Sequence, residues 1–141
     1  MKARCRRRRS ASPRRCFGTT PAADLNLALR HGATGATSNP VIVGNVLRKE
    51  MADWKDRLNA LIHVEMPDAT DEEICWALSK EAALKGSNML LPMFRESGGV
   101  KGWQAMQVNP RFYRSTEKTV AHAAELSALN ENILIKMPVS T

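Results

Sequence analysis

Apolar residues along this chain recur in two rhythms, one at helical spacing and one in short runs typical of strands. In AADLNLALRHG, Leu25, Ala28 and Leu29 share a face from Ala22 onward, and Gly32 is placed to end a helix. The small residues of ATGATSNP predict a short buried strand or turn, and Pro40 opens the helix PVIVGNVLRKEM. ADWKDRLNALIHVEM continues helically, with Trp54, Leu58, Leu61 and Ile62 on one side, until Pro67 breaks the run. Thr70 and Glu73 form a Thr-x-x-Glu capping box, and Ile74, Ala77, Leu78 and Ala82 follow at helical spacing. Gly86 is expected to interrupt that helix, with NMLLPMFRESGG carrying the segment on to Gly98 and Gly99. GWQAMQVNP is the second predicted strand, ended by Pro110. Ser115 begins another helix with Val120, Ala123, Ala124 and Leu126 as packing positions, and NILIKMP is the last strand.

Short apolar strands alternating with amphipathic helices predict an α/β fold with a parallel sheet and helical crossovers. The 141 residues make one domain at most, and no internal repeat is visible. No apolar run reaches the length of a membrane-spanning helix, and no apolar core follows the charged N-terminus as in a secretory signal.

Charge changes this picture at one end only. Eight of the 21 basic residues lie within residues 1–16, which hold no acid, while residues 17–141 hold 13 basic and 14 acidic ones. The formal net charge of +7 therefore belongs to a tail and not to the domain, which argues against nucleic-acid binding by the domain itself. Residues 1–20 are rich in Arg, Ser and Pro and are expected to be disordered. They fit a basic arm for nucleic acid, an organelle transit segment, or the product of a wrong start or shifted reading frame. The three cysteines, Cys5, Cys16 and Cys75, are an odd number without a secretory signal, which argues against a disulfide framework. His31, His63 and His122 are scattered, and no paired motif suggests a metal.

Three places could carry chemistry. In the last strand Ile133, Ile135 and Met137 share one face and Leu134 and Lys136 the other, with Pro138 marking the end. Lys136 thus sits at the carboxyl edge, where parallel α/β folds place their sites. Partial desolvation there would lower its pKa and make the amine a nucleophile toward a carbonyl; the plainer reading is a lysine that snorkels to water. In GATGATSNP, Thr37, Ser38 and Asn39 offer polar side chains on a backbone that allows close approach, although Asn39 could simply cap the next helix. Gln107, near the end of its strand, can orient a water or hydroxyl but cannot act as a carboxylate base.

Taken in order, GATSNP (35–40), GWQAMQVNPR (102–111) and ILIKMP (133–138) resemble the transaldolase family from about Leu25 onward. The resemblance implies a TIM-type (β/α)₈ barrel that transfers a dihydroxyacetone unit between sugar phosphates, in the pentose phosphate pathway, without metal or organic cofactor. It implies that Lys136 forms the Schiff base, that Asn39 binds donor hydroxyls, and that Thr37 and Ser38 shape the same site. Gln107 stands where the family has a carboxylate that handles a catalytic water, so it would position water without taking its proton. The family's first-strand aspartate has no clear counterpart: Asp24 is the only acid before the motif and sits at a helix start.

A complete barrel of this type takes about 250 residues. The chain is accordingly expected to be a partial barrel of about three to four βα units over residues 21–141, behind a disordered tail over residues 1–20. Activity is expected to be impaired by truncation. An unpaired sheet edge would favour self-association. The expected location is cytoplasmic, the partners are sugar-phosphate substrates, and neither a membrane nor nucleic acid is expected. The alternative is a non-catalytic fragment, or a nucleic-acid-binding module that uses the basic arm.

Overall fold

The computed structural model describes residues 16–18 and 22–137, and for residues 16–18 and 22–24 the backbone alone. Four parallel strands form one sheet in chain order: β1 (Cys16–Gly18), β2 (Gly35–Ser38), β3 (Trp103–Gln107) and β4 (Ile133–Lys136). Helix α1 (Ala22–Arg30) joins β1 to β2. Helices α2 (Pro40–Lys49), α3 (Met51–Ala60) and α4 (Asp71–Glu96) lie between β2 and β3, and α5 (Thr116–Ser127) lies between β3 and β4. This is the α/β architecture of a partial (β/α) barrel. Among the described residues no helix is long and apolar enough to cross a membrane.

Two elements depart from the expectation. Within the stretch expected to be disordered, Cys16–Gly18 pair with Gly35–Thr37 as β1. The remaining basic arm, including any contact it makes with nucleic acid, lies outside the described residues, as does Pro138. Helix α4 also runs unbroken for 26 residues through Gly86 and Pro92. A glycine inside a helix costs only about 1 kcal/mol, and Ile74, Leu78, Ala83 and Leu90 bury a continuous apolar face that outweighs it. The Thr70–Glu73 capping box forms as expected: each residue's side chain meets the other's backbone N–H. The run from Pro40 to Met66 is less uniform than its spacing predicts. It divides at Glu50 and ends in a π-helical turn, Leu61–Glu65.

Helix α4 contributes to each of three apolar clusters. Ile74 and Leu78 pack with Trp54 and Leu61 of the preceding helical segment. Ala83 packs with Met106, Leu126 and Ile133, and Leu90 with Leu25 and Ala36. Of the packing positions predicted on α5, Ala123 and Leu126 are buried, but Val120 and Ala124 are exposed. Only one flank of α5 meets α4 and the sheet, so its buried stripe is narrower than its apolar content suggests.

A buried polar knot joins these layers. The Asn132 side chain, fully buried at the start of β4, donates from Nδ2 to Ser87 O (2.9 Å) and Gly102 O (2.8 Å). Its Oδ1 accepts from Ser87 Oγ at 2.5 Å, and its backbone oxygen accepts from Gln104 N at 2.9 Å. One residue thereby ties β4 to α4 and to the entry of β3. Gly102 completes the joint. Its φ is +81°, and a Cβ there would lie 2.4 Å from Phe94 N and 2.7 Å from Leu90 O.

The two glycine environments make opposite predictions. Gly102→Ala should destabilise the chain by at least about 1–3 kcal/mol from the backbone conformation alone, before the clash with α4 is counted. Gly44→Ala, inside α2 with no atom within 4 Å of the added methyl, should stabilise it by about 0.5–1 kcal/mol. Urea midpoints of the two variants, compared with the parent, test both signs.

Candidate active site

Register partners in a parallel pair present their side chains to the same face. Ala36, Gln104 and Ile133 are aligned across β2, β3 and β4, and so are Ser38, Met106 and Ile135. These residues turn toward the helices: Ala36, Met106 and Ile133 are buried there, and Ile135 packs on the same cluster. Alternation puts Thr37, Ala105 and Leu134 on the other face, with Gln107 and Lys136 one pleat nearer the carboxyl ends.

Thr37, Gln107 and Lys136 therefore share the open face of the sheet. Gln107 and Lys136 are direct register partners, and Val108 N donates to Lys136 O at 3.3 Å just beyond them. Gln107 is half-buried and Lys136 is exposed. The desolvation expected at the end of β4 is thus not provided by the described residues.

Ser38 and Asn39 are placed differently from Thr37. Ser38 is expected beside Thr37 in the site, yet it lies 4% exposed on the helix side. Its Oγ donates to Ala105 O at 3.2 Å and accepts from Gln104 Nε2 at 3.4 Å. The reason is parity: adjacent strand residues cannot face the same way. Asn39 leaves β2 at its carboxyl end in an extended conformation, and its Oδ1 accepts from Ile42 N at 2.8 Å as the N-cap of α2. The cap uses the amide oxygen, and the same residue carries an NH₂ group with two donors at the strand edge.

Strand β1 brings the sheet to Gly18, opposite Thr37. Its three residues are Cys, Phe and Gly, so it carries no carboxylate. Asp24 falls in the first turn of α1. Nothing in the local pattern marks Asn132, because an Asn before a strand usually reads as a turn residue. Its role depends on Ser87, 45 positions earlier.

The chain matches the family described as Transaldolase/Fructose-6-phosphate aldolase over residues 22–141. It is 32% identical over 122 residues to a transaldolase of Thiobacillus denitrificans, a match that covers 76% of this chain and 29% of that protein. It is 32% identical over 118 residues to a transaldolase of Campylobacter jejuni, covering 82% and 34% of the two chains. A transaldolase of Thermobifida fusca is 32% identical over 121 residues, covering 81% and 30%. The chain thus spans about a third of the length of the curated relatives it matches.

The cap at the end of β2 can be tested by itself. Asn39→Ala should cost about 0.5–2 kcal/mol, whereas Asn39→Asp, which keeps an accepting oxygen, should cost far less. Thermal unfolding of both variants measures the difference.

Proposed function

The chain belongs to the transaldolase/fructose-6-phosphate aldolase family, and we propose that Lys136 is its imine-forming residue, acting on the ketone carbon of a sugar phosphate. The observation that carries this reading is the register of β3 and β4, which pairs Gln107 with Lys136 on the open face at the carboxyl edge.

The chemistry follows from an amine in that position. Unprotonated Nζ adds to the donor ketone, and loss of water leaves a protonated imine. When the neighbouring carbon–carbon bond breaks, its electron pair flows into the imine, the hydroxyl on the departing carbon gives its proton to water, and an aldose phosphate departs; a proton is taken back from water when the enamine adds to the acceptor. The enamine left on Lys136 holds three carbons and attacks the aldehyde of an acceptor. Water then releases the new ketose and regenerates the amine. No electrons are gained or lost overall, and the proton taken up on dehydration returns on hydrolysis.

The neighbouring side chains fit supporting roles. Gln107 has a donor and an acceptor, so it can hold the water that enters or leaves the imine carbon, but its amide cannot take a proton as a carboxylate would. Asn39 can offer its NH₂ to a donor hydroxyl while its oxygen caps α2. Thr37 shares their face, two residues short of the edge. Ser38 holds β2 against β3 from the helix side.

Borohydride reduction in the presence of fructose 6-phosphate tests the proposal. Peptide mapping should place a reduced adduct on Lys136, and Lys136→Ala should remove it. A soluble, folded sample that yields no adduct, or that carries it on another lysine, overturns the assignment.

A further inference from the structure

His122 lies on α5 between two aromatic rings. Trp76 of α4 is 4.7 Å away at 90°, and Phe112 of the 3₁₀ turn Pro110–Arg114 is 5.5 Å away at 87°. Its Nδ1 accepts the backbone N–H of Asn109 at 3.1 Å. A backbone N–H can only donate, so this contact requires Nδ1 to be unprotonated.

Asn109 is the residue on which this turn is anchored. It is 6% exposed, two positions beyond Gln107. Its Oδ1 accepts from Arg111 N at 3.0 Å, and its Nδ2 donates to Glu72 Oε1 at 2.9 Å. Arg111 pairs with the other oxygen of Glu72 at 2.5 Å. Three elements, α4, α5 and the turn itself, therefore converge on one residue.

We propose that His122 is a proton-operated latch on the turn after β3. Neutral, it holds Asn109 and fixes the carboxyl end of β3 beside Gln107. Protonated, it cannot accept the Asn109 N–H, and residues 109–114 come loose. The latch requires no imine chemistry and stands apart from the role of Lys136.

The electrostatic surroundings favour the neutral ring. Burial lowers the pKa of His122 most, and Lys80 on α4 lowers it further, while Glu125 on α5 opposes both. Glu72 and Arg111, on the Asn109 side, compensate each other as a pair. Because the folded-state pKa lies below the unfolded value of about 6.5, the latch is fully engaged above that value. Its contribution is lost as pH falls from there through the folded-state pKa.

Amide hydrogen exchange of the full chain, read by NMR between about pH 7.5 and 5, tests the latch. The protection factor of the Asn109 amide should fall about tenfold per pH unit between the ordinary histidine range and the lower folded-state pKa, then level off. Amides in the middle of α4 should not follow it. His122→Asn, which keeps an acceptor that does not titrate, should flatten the Asn109 profile. The His122 ring signals of the parent chain supply a second readout that needs no variant, and their midpoint should fall at the pH where the change at Asn109 levels off. His122 titrating while Asn109 protection stays constant overturns the proposal, as does an unchanged pH profile in His122→Asn.

Discussion

The arrangement of this protein depends on one buried amide. Asn132 sits where β4 begins and spends both ends of its side chain on other elements, its oxygen on Ser87 and its NH₂ on Ser87 and Gly102. Each of these groups would cost about 1–3 kcal/mol if left buried without a partner. Satisfying them together demands one position of β4 relative to α4 and β3. Apolar packing alone would be less exacting: Ile133 and Ile135 could exchange places along a smooth helix surface with little loss. The amide removes that freedom.

Register is what the site inherits from this constraint. In a strand, a slip of one residue turns every side chain to the opposite face. With Asn132 anchored, Gln104 donates to its carbonyl, Gln107 meets Lys136, and both point away from the helices. The glycines contribute by absence of a side chain. Gly102 lets the entry of β3 lie against α4, and Gly35 lets β2 lie against β3, where a Cβ would come 2.8 Å from Trp103 O. Strand alternation and this register then put Thr37, Gln107 and Lys136 on one face. The turn that follows is held by polar contacts instead, at Asn109, Glu72 and His122.

Much of this was legible in the residue pattern where a local rule decides. The alternation in ILIK separates Lys136 from Ile133 and Ile135, and the Thr70–Glu73 spacing forms its capping box as local chemistry requires. The failures lie where distant partners decide. Gly86 does not break α4, because the packing of a long face exceeds a single propensity cost. Cys16–Gly18 pair as a strand although no apolar period announces one, since three residues are too few to show a period. Val120 looks like a core position and is 55% exposed, for its α5 packs along one flank only. Ser38 belongs to the same motif as Thr37 and Asn39 but faces the helices, a consequence of strand parity that a motif does not express. Asn132 and His122 derive their roles from residues far away in sequence, at Ser87 and at Asn109.

The pairing of β3 with β4 is therefore the point on which the account turns, and cross-strand nuclear Overhauser contacts report it directly in solution. The backbone protons of Gln107 should show contacts to those of Lys136, with the matching set between Ala105 and Leu134. Gln107 paired instead with Ile135 or Met137 would turn Lys136 to the helix side and contradict the account.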